Sequence, residues 1–394
     1  MTDAAASPPP LDIAVAGAGV AGLALATALK QALGPGLRIA AFDPALAAPR
    51  RDDGRASMIA ADVRRFLDRL GAWPENAAPV AGLRITDSRL DDALRPTFLE
   101  LGQEVAPGEP FAHMAFDSDL RAALLSRAEA LGVALIADGV AAHASSAAGL
   151  SLTLASGETA SARLLVAADG ARSAVREQAK IATYGAPYDQ IALTAILAHE
   201  CPHGGIATQH FLPGGPFALL PLAGNRSALV WSERRAAAEA VIAGDDAAFL
   251  AEAERRAGPE FGTMTLAGRR SAFPLRLVLA RSFVAARVAL VADAGHVVHP
   301  LAGQGLNVGL RDVIALERIV SNAARAGDDW GAPATLDAYE RARRFDVAAL
   351  AAATDGLYRL FRTNAARLPR DIGMALVDRT PALKRKVVEI AAGG

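Results

Sequence analysis

Two glycine-rich stretches carry residue types and spacings suited to holding phosphate, and they lie nearly the whole chain apart. In the first, "AGAGVAG", Gly17, Gly19 and Gly22 are spaced G-x-G-x-x-G. The first glycine permits a tight turn, the second lets the backbone approach a pyrophosphate, and the third lets a helix lie close on a strand. The amino end of that helix then faces the negative charge. Asp43 stands 24 residues after Gly19, at the end of the next apolar run, where a carboxylate can bind ribose hydroxyls. Strand, helix and acid in this register point to a dinucleotide. The bland alternative is a turn that only packs well, and the motif does not separate NAD from FAD.

The second stretch, "HPLAGQGLNVGLRD", follows an apolar strand "VALVADAG" that leads into Asp293. It places Pro300, Gly303, Gln304, Gly305, Leu306 and Asn307 ahead of a second helix. An NAD dehydrogenase has no use for another glycine-opened helix so far downstream. FAD is longer: its adenosine end can sit on the first loop, and its ribityl chain and isoalloxazine need another site. Asp293 can accept from ribityl hydroxyls. Backbone N–H groups at a helix start near Gly305 can face the N1–C2 carbonyl edge of the flavin and stabilise the charge of its reduced form. The two loops therefore read as two ends of one cofactor site, against the plainer reading of an ordinary capped helix.

Other candidates are weaker. "HECPH" (His199 to His203) matches the H-E-x-x-H zinc signature, which works only on a helix. Here it follows an alternating strand, and Pro202 opposes a helix, so no metal is expected. His296 and His299, three apart, could mimic a metal pair but read better as loop residues of the cofactor site. Cys201 is the single cysteine, which excludes an internal disulfide and suits a reducing compartment. Basic and acidic residues nearly cancel, 41 against 42, which removes the basic footprint of a nucleic-acid binder. The uncharged run from Ile13 to Leu29 is rich in Ala and Gly and lacks a basic flank, so it reads as strand, turn and helix rather than a signal peptide or a membrane span.

Stepping along the chain, the patterning predicts strands over Leu11 to Ala16 and Leu37 to Phe42 around a helix over Val20 to Leu33. Helices are expected over Ala61 to Trp73 and Ser118 to Ala130. "ARLLVAADGARSAVRE" reads as a strand, a tight turn at Asp169-Gly170 and a helix start. Alternating strands over 191–197, 208–212, 217–222 and 227–231 suggest a mostly antiparallel sheet. A buried strand over Arg287 to Ala292 precedes the second glycine loop and a helix to about Ala326, and 333–392 is helical and ends basic. Nucleotide-type and sheet-type segments interleave, which predicts one composite unit: a loose tail over 1–10, a discontinuous cofactor domain over 11–79, 117–180 and 281–330, a substrate domain over 80–116 and 181–280, and a helical region over 331–394.

"AGAGVAG", "DGARSAVRE" and "ADAGHVVHPLAGQGLNVGLRD" resemble the three flavin motifs of the single-component FAD-dependent aromatic hydroxylases. The last stretch, with "RASMIAADVRRFLDRLGAW", "GPFALLPLAGNRSALVW" and "LDAYERARRFD", is similar to the polyprenylphenol hydroxylase branch of ubiquinone biosynthesis. The likeness runs from about Leu11 to Pro381. It implies an α/β fold: a three-motif, Rossmann-like and para-hydroxybenzoate-hydroxylase-like FAD-binding domain, an interleaved mostly antiparallel substrate sheet and a helical C-terminal region. It implies FAD as cofactor, NAD(P)H and O2 as co-substrates, and oxygen transfer to a polyprenylphenol ring through a flavin C4a-hydroperoxide. By motif, Gly17, Gly19, Gly22 and Asp43 fall on the adenosine-diphosphate site, Arg55 on a flavin-side arginine, Asp169 and Gly170 on the Asp-Gly turn, and Asp293 on the ribityl aspartate. Pro300, Gly303, Gln304, Gly305, Leu306 and Asn307 fall along the isoalloxazine. The resemblance gives catalytic roles to Pro300, through its carbonyl, and to His299, which would orient or deprotonate a phenol.

The chain departs from the family at four positions, one of them Asp43, where Glu is commoner. Ala292 stands where Gly is usual, Gly295 where Ala is usual, and Asp117 where relatives often carry Arg or Gln at a flavin contact. The alternatives left open are hydroxylation of another aromatic substrate and a non-oxygenating flavin reductase. No nucleic-acid partner is expected. The expected location is the cytoplasm, with peripheral contact at the inner membrane and with a ubiquinone-biosynthesis complex. The membrane expectation rests on Leu360, Phe361, Leu368, Ile372, Leu376 and Val377 at helical spacing among Arg359, Arg362, Arg367, Arg370, Arg379, Lys384, Arg385 and Lys386. A stripe packed on the protein's own body would show the same periodicity.

Overall fold

The first apolar run does not alternate because both of its faces are covered. In the computed structural model, which describes residues 9–48, 54–87, 90, 97–101, 104–146, 149–299 and 304–362, this run is β1 (Leu11–Ala16), and Ile13, Ala14 and Val15 are wholly buried. α1 (Val20–Leu33) is buried continuously from Ala21 to Lys30. The cation at Lys30 is tolerated because Nζ donates to the carbonyls of Pro35 and Leu37, at 2.9 and 2.5 Å.

Past β2 (Ile39–Phe42) the chain forms β3 (Ala56–Ala60), α2 (Ala61–Leu70), β4 (Ala78–Val80), β5 (Gly82–Asp87), β6 (Thr97–Leu101), β7 (Ala112–Phe116), α3 (Asp117–Ala130), β8 (Ala134–Ile136), β9 (Val140–Ser146), β10 (Gly149–Leu154) and β11 (Thr159–Ala167). The second half adds β12 (Pro187–His199), β13 (Ile206–Leu212), β14 (Gly215–Leu222), β15 (Arg226–Arg234), α4 (Arg235–Ala243), α5 (Asp246–Ala257), β16 (Ser271–Arg276), β17 (Val288–Leu290), α6 (Gly305–Ala326) and α7 (Pro333–Arg362). Shorter turns and strands connect them.

One sheet has the order β8-β2-β1-β11-β10-β9. β8, β2, β1 and β11 are mutually parallel, and β17 joins β11 in parallel beyond the stretch that β10 pairs. α1 lies on this sheet between α3 and α6. A second sheet runs β12-β15-β14-β13-β5-β6, with β16 also on β12; its pairs are antiparallel except β13 with β5. One face of it packs Phe217, Leu229 and Trp231 against Phe249 and Ala253 of α5. The other packs Ile196, Ala207, Ala218 and Leu220 against Met58, Val80 and Met114. Those last residues belong to a small sheet, β3-β7-β4, which joins segments placed on either side of the boundaries expected near 79 and 116. Hydrophobic patterning marks strands but not their partners.

Several boundaries moved. The helix expected to Trp73 stops at Leu70, because Gly71 takes φ 68° and closes it. The strand expected over Arg287 to Ala292 is only Val288–Leu290, and Ala292 opens a 3-10 turn. Ala292 has φ 53°, the left-handed region that suits glycine.

α6 presses on this turn. A Cβ on Gly309 would come within 2.6 Å of Ala292 Cβ. Gly309→Ala is therefore expected to cost about 1–3 kcal/mol. Ala292→Gly alone is expected to stabilise by up to about 1 kcal/mol, by relieving the left-handed alanine. Ala292→Gly should also recover part of the Gly309→Ala loss. Denaturant melts of the two single variants and the double variant check this; strict additivity would exclude the contact.

Candidate functional site

Four parallel strand ends meet along one edge. β2, β1, β11 and β17 lie side by side in that order, so the loops leaving their carboxyl ends are neighbours, and such edges are where open α/β sheets take ligands. Those loops carry Asp43, Gly17 to Gly22, Asp169-Gly170 and Asp293. Backbone bonds tie them together: Gly17 N–H donates to Phe42 O at 2.7 Å, Ala168 N–H to Ala16 O at 2.7 Å, and Val291 N–H to Ala167 O at 2.9 Å. The first glycine loop and the turn that carries Asp293 are distant in sequence and leave neighbouring strand ends.

The three glycines of the first loop do different things. A Cβ on Gly17 would stand 2.3 Å from Ala168 O, and one on Gly22 2.0 Å from Gly17 O; both positions are closed by packing. A Cβ on Gly19 would meet nothing within 4 Å. Gly19 is the N-cap of α1 and supplies no side-chain cap, so the first N–H groups of the helix need other acceptors. Asp43 accepts from Ala18 N–H and from Ala45 N–H, both at 2.8 Å. It thus shapes the glycine loop as well as standing at the expected ribose position. Arg121 on α3 donates through Nε to Ala18 O at 2.9 Å, and its Nη2 is buried without a hydrogen-bond partner.

The Asp169 turn repeats this pattern. Its Oδ2 accepts from Val175 N–H at 3.3 Å, while Oδ1 is buried without a hydrogen-bond partner. Gly170 has φ 82°. The buried Arg176 spans from this turn to the next strand end, donating to Ala171 O at 3.0 Å and Ala294 O at 2.8 Å. Asp293 is reached by solvent but crowded by protein. Desolvation in that recess raises its pKa above the ordinary carboxylate value, against the opposing pull of His296, Arg55 and Arg276. Arg55 therefore faces the same space as Asp293. Asp117, at the position in doubt, accepts from Ser57 Oγ at 2.6 Å and lies 4.0 Å from Arg55 Nε; its carboxylate serves that arginine.

Pro300 and Gly303 lie outside the described residues. Gln304 is the N-cap of α6, Gly305 begins the helix, and Leu306 packs against the core beneath the sheet. Asn307 is wholly buried: Oδ1 accepts from Ala60 N–H at 2.8 Å and Nδ2 donates to Met58 O at 2.7 Å. It holds β3 against the start of α6. His296 and His299 do not share a site. His296 Nε2 bonds Asp312 Oδ2 at 2.6 Å. His299 Nε2 bonds Gln190 Oε1 at 3.0 Å, and burial lowers its pKa to about 4, against the pull of Asp355. Burial therefore makes His299 a weaker base than a free imidazole.

At the end of β12, the "HECPH" histidines are engaged by protein groups. His199 bonds Cys201 O at 2.8 Å and Ser227 Oγ at 3.0 Å, and His203 bonds Leu222 O and Gly205 N–H, each at 2.9 Å. Among the described residues no cluster of three or more metal-type ligands occurs.

The FAD binding domain family matches residues 10–354. The chain belongs to the FAD-binding domain family. Its cofactor is FAD, and the residues present fit that group: a glycine cradle open only at Gly19, an uncapped helix start above it, and two buried polar atoms, Arg121 Nη2 and Asp169 Oδ1, that lack protein partners. This flavoprotein is 41% identical over 390 residues to the ubiquinone hydroxylase UbiL of Rhodospirillum rubrum, covering 97% of this chain and 89% of that one. It is 35% identical over 277 residues to the human mitochondrial ubiquinone biosynthesis monooxygenase COQ6, covering 61% of this chain and 59% of that one. The p-nitrophenol 4-monooxygenase PnpA of Pseudomonas putida has the same fold, with a TM-score of 0.80 at 17% identity over 98% of each chain.

Sequence reasoning missed Arg121, Arg176 and Gln190. Arg176 stood in plain view inside "DGARSAVRE", whereas Arg121 and Gln190 sit on ordinary helix and strand patterns with no local mark.

Asp293 yields a test with two opposite signs. Asp293→Asn is expected to weaken FAD retention by tenfold or more, since a charge-assisted bond contributes about 1.5–3 kcal/mol. The same change should stabilise the apoprotein. A carboxyl with a raised folded-state pKa contributes stability below its unfolded value, and that contribution is lost as pH rises through the folded value. The advantage of the variant should therefore grow as pH rises from about 4 and level off once Asp293 is ionised. Apoprotein melts across this range, with flavin titration, check both signs; a variant less stable than the parent at neutral pH would exclude the burial penalty.

Proposed function

We propose that the protein is an FAD-dependent monooxygenase that hydroxylates the ring of a polyprenylated phenol on the route to ubiquinone, with NAD(P)H as reductant and O2 as oxidant. The observation that carries this reading is the 41% identity to a ubiquinone hydroxylase along 97% of the chain. One oxygen atom enters the ring, the other leaves as water, and NAD(P)H supplies the two electrons. FAD, when bound, supplies the electron transfer and the activation of O2.

The chain's own residues then have positioning tasks. Gly19, the start of α1 and Arg121 would hold the pyrophosphate, Asp43 the adenosine ribose, and Asp293 the ribityl hydroxyls. Gly17, Gly22 and Gly170 give the backbone its approach, and Asp169 and Arg55 frame the flavin side. Gln304, Gly305 and Leu306 would turn backbone N–H groups to the isoalloxazine edge, and Asn307 fixes the helix that carries them. Pro300, through its carbonyl, and Gly303 are assigned to that edge by motif alone, since both lie outside the described residues. His299 would orient the phenol.

We further propose that the enzyme meets the inner membrane face peripherally, because its substrate carries an isoprenoid tail. Among the described residues no helix is long and apolar enough to cross a membrane. The basic and apolar stripe that motivates the contact lies mostly beyond residue 362, outside the described residues.

Three tests follow. Arg121→Met should cost FAD about ten- to a hundredfold in affinity while leaving FMN affinity unchanged, since only FAD carries the pyrophosphate and adenosine; one charge-assisted bond accounts for that range. Deleting the gene in its host should accumulate a polyprenylphenol lacking one ring hydroxyl, identified by mass spectrometry. NAD(P)H oxidation by the purified protein should rise with such a phenol and place one labelled oxygen in it; reduction without incorporation would instead mark a flavin reductase. Co-sedimentation with anionic vesicles should be salt-sensitive and lost on truncation after Tyr358, and equal pelleting with neutral and anionic vesicles would exclude the membrane proposal.

A further inference from the structure

Arg269 and Arg270 are neighbours in the chain, and the fold treats them differently. Arg270 Nε lies 2.9 Å from Asp246 Oδ1, and its Nη1 donates to Gly244 O at 3.0 Å. Arg269 is exposed and has no hydrogen bond or ion pair among the described residues. Arg226, the first residue of β15, donates from Nε to Ala223 O at 3.1 Å and has no carboxylate partner among the described residues. Both arginines line one cavity of about 430 Å³. They reach it from opposite edges of β12: Ala198 pairs with Arg226, and on the other side Ala267 N–H donates to Ile196 O at 2.8 Å.

This cavity lies beside the cofactor space. Its far wall is formed by Asn76 and by Phe116, Ser118 and Asp119 at the start of α3. Gly54 also lines it, and the next residue, Arg55, faces the recess of Asp293. The Arg55 guanidinium lies 6.0 Å from the ring centre of Phe273, which pairs with Ala192 of β12. Ala192 and Ile196, four residues apart on one strand, share a face of the sheet. A single face of the substrate sheet therefore runs from Arg55 to the two arginines.

The lining decides what the cavity takes. Asp119 is its one carboxylate among the described residues, and it accepts from Asn76 Nδ2 at 2.7 Å. Two guanidinium groups without carboxylate partners make a poor bed for an isoprenoid tail and a good one for a phosphate, which an arginine fork grips with two parallel bonds. The pyrophosphate of FAD is assigned to the first glycine loop, so this phosphate belongs to another molecule. NADPH differs from NADH by a phosphate on the adenosine ribose, and a nearby arginine is the usual means of accommodating it.

We propose that this cavity takes the 2′-phosphate of NADPH, and that Arg226 and Arg269 select NADPH over NADH. The assignment rests on the reading that a nicotinamide coenzyme reduces the flavin. The coenzyme then extends along the substrate sheet from this cavity, past Phe273 and Arg55, toward the flavin.

The experiment is anaerobic reduction of the FAD-loaded protein, followed by flavin absorbance with NADPH and NADH in turn. In the parent the half-saturating concentration should be about tenfold or more lower for NADPH. That advantage should shrink as salt rises, because both arginines are exposed. Arg226→Ala and Arg269→Ala should each raise the NADPH value about tenfold and the NADH value about threefold at most, with FAD retained. Replacing both arginines by lysine keeps the charges and should retain part of the preference, which separates phosphate recognition from loss of the fold. Adenosine 2′,5′-bisphosphate should compete with NADPH in the parent and not in the double alanine variant, whereas inorganic phosphate should compete far more weakly. A parent that favours NADH, variants that weaken both coenzymes equally or neither, or inorganic phosphate as strong a competitor as the bisphosphate would each overturn the proposal. Flavin reduction needs no phenol, so a parent that prefers NADPH and hydroxylates no phenol would count against the proposed function and leave the coenzyme site standing.

Discussion

The buried carboxylate of Asp312 is the interaction on which the cofactor edge depends. It accepts from Ala292 N–H at 2.9 Å, from His296 Nε2 at 2.6 Å and from Arg343 Nε at 2.8 Å. Burial alone would push its pKa up. The combined pull of His296 and Arg343 outweighs that and holds it below the ordinary value. Three donors from three places are thus fixed at one point on α6: the turn before Asp293, the loop before His299, and α7. Removing one member of such a cluster leaves an uncompensated buried charge, a loss of about 3–5 kcal/mol.

That clamp explains the strain beside it. Ala292 is held in a left-handed conformation by the bond from its N–H to Asp312, and Gly309 gives it room one turn earlier on α6. Strain of this kind persists where surrounding bonds over-determine it. Here it turns the chain sharply between β17 and Asp293, so that Asp293 emerges at the same sheet edge as the first glycine loop. Tyr339 of α7 strengthens the join, donating its hydroxyl to Leu290 O at 2.7 Å.

Rigidity and incompleteness are divided between two populations of polar groups. Asn307, Asp312, Arg176 and Arg343 are satisfied by the protein itself and hold the loops still. Arg121 Nη2, Asp169 Oδ1 and the first N–H groups of α1 are not fully satisfied. Buried donors and acceptors rarely stay unpaired, and these stand at the sheet edge where open α/β folds take ligands. The penalty on the Asp293 charge comes from desolvation by the surrounding protein.

The local elements were legible in the residues alone. β1, α1 and α6 are encoded by uninterrupted apolar runs, glycine punctuation and helical periodicity, all of which are short-range, and the need for Gly22 follows from sterics against Gly17 O within one turn. A pair of distant glycine loops even implied a cofactor long enough to need both. The partners were not legible. Nothing near position 307 says that Asn307 bonds β3, nothing near 121 says that Arg121 reaches Ala18, and nothing in "YDQ" says that Gln190 will hold His299. Those pairings come from strands and helices brought together across more than a hundred residues. A hydrogen bond has an angle and a length but no sequence periodicity, so only the tertiary structure could decide which polar residues hold the site and which are left for the flavin.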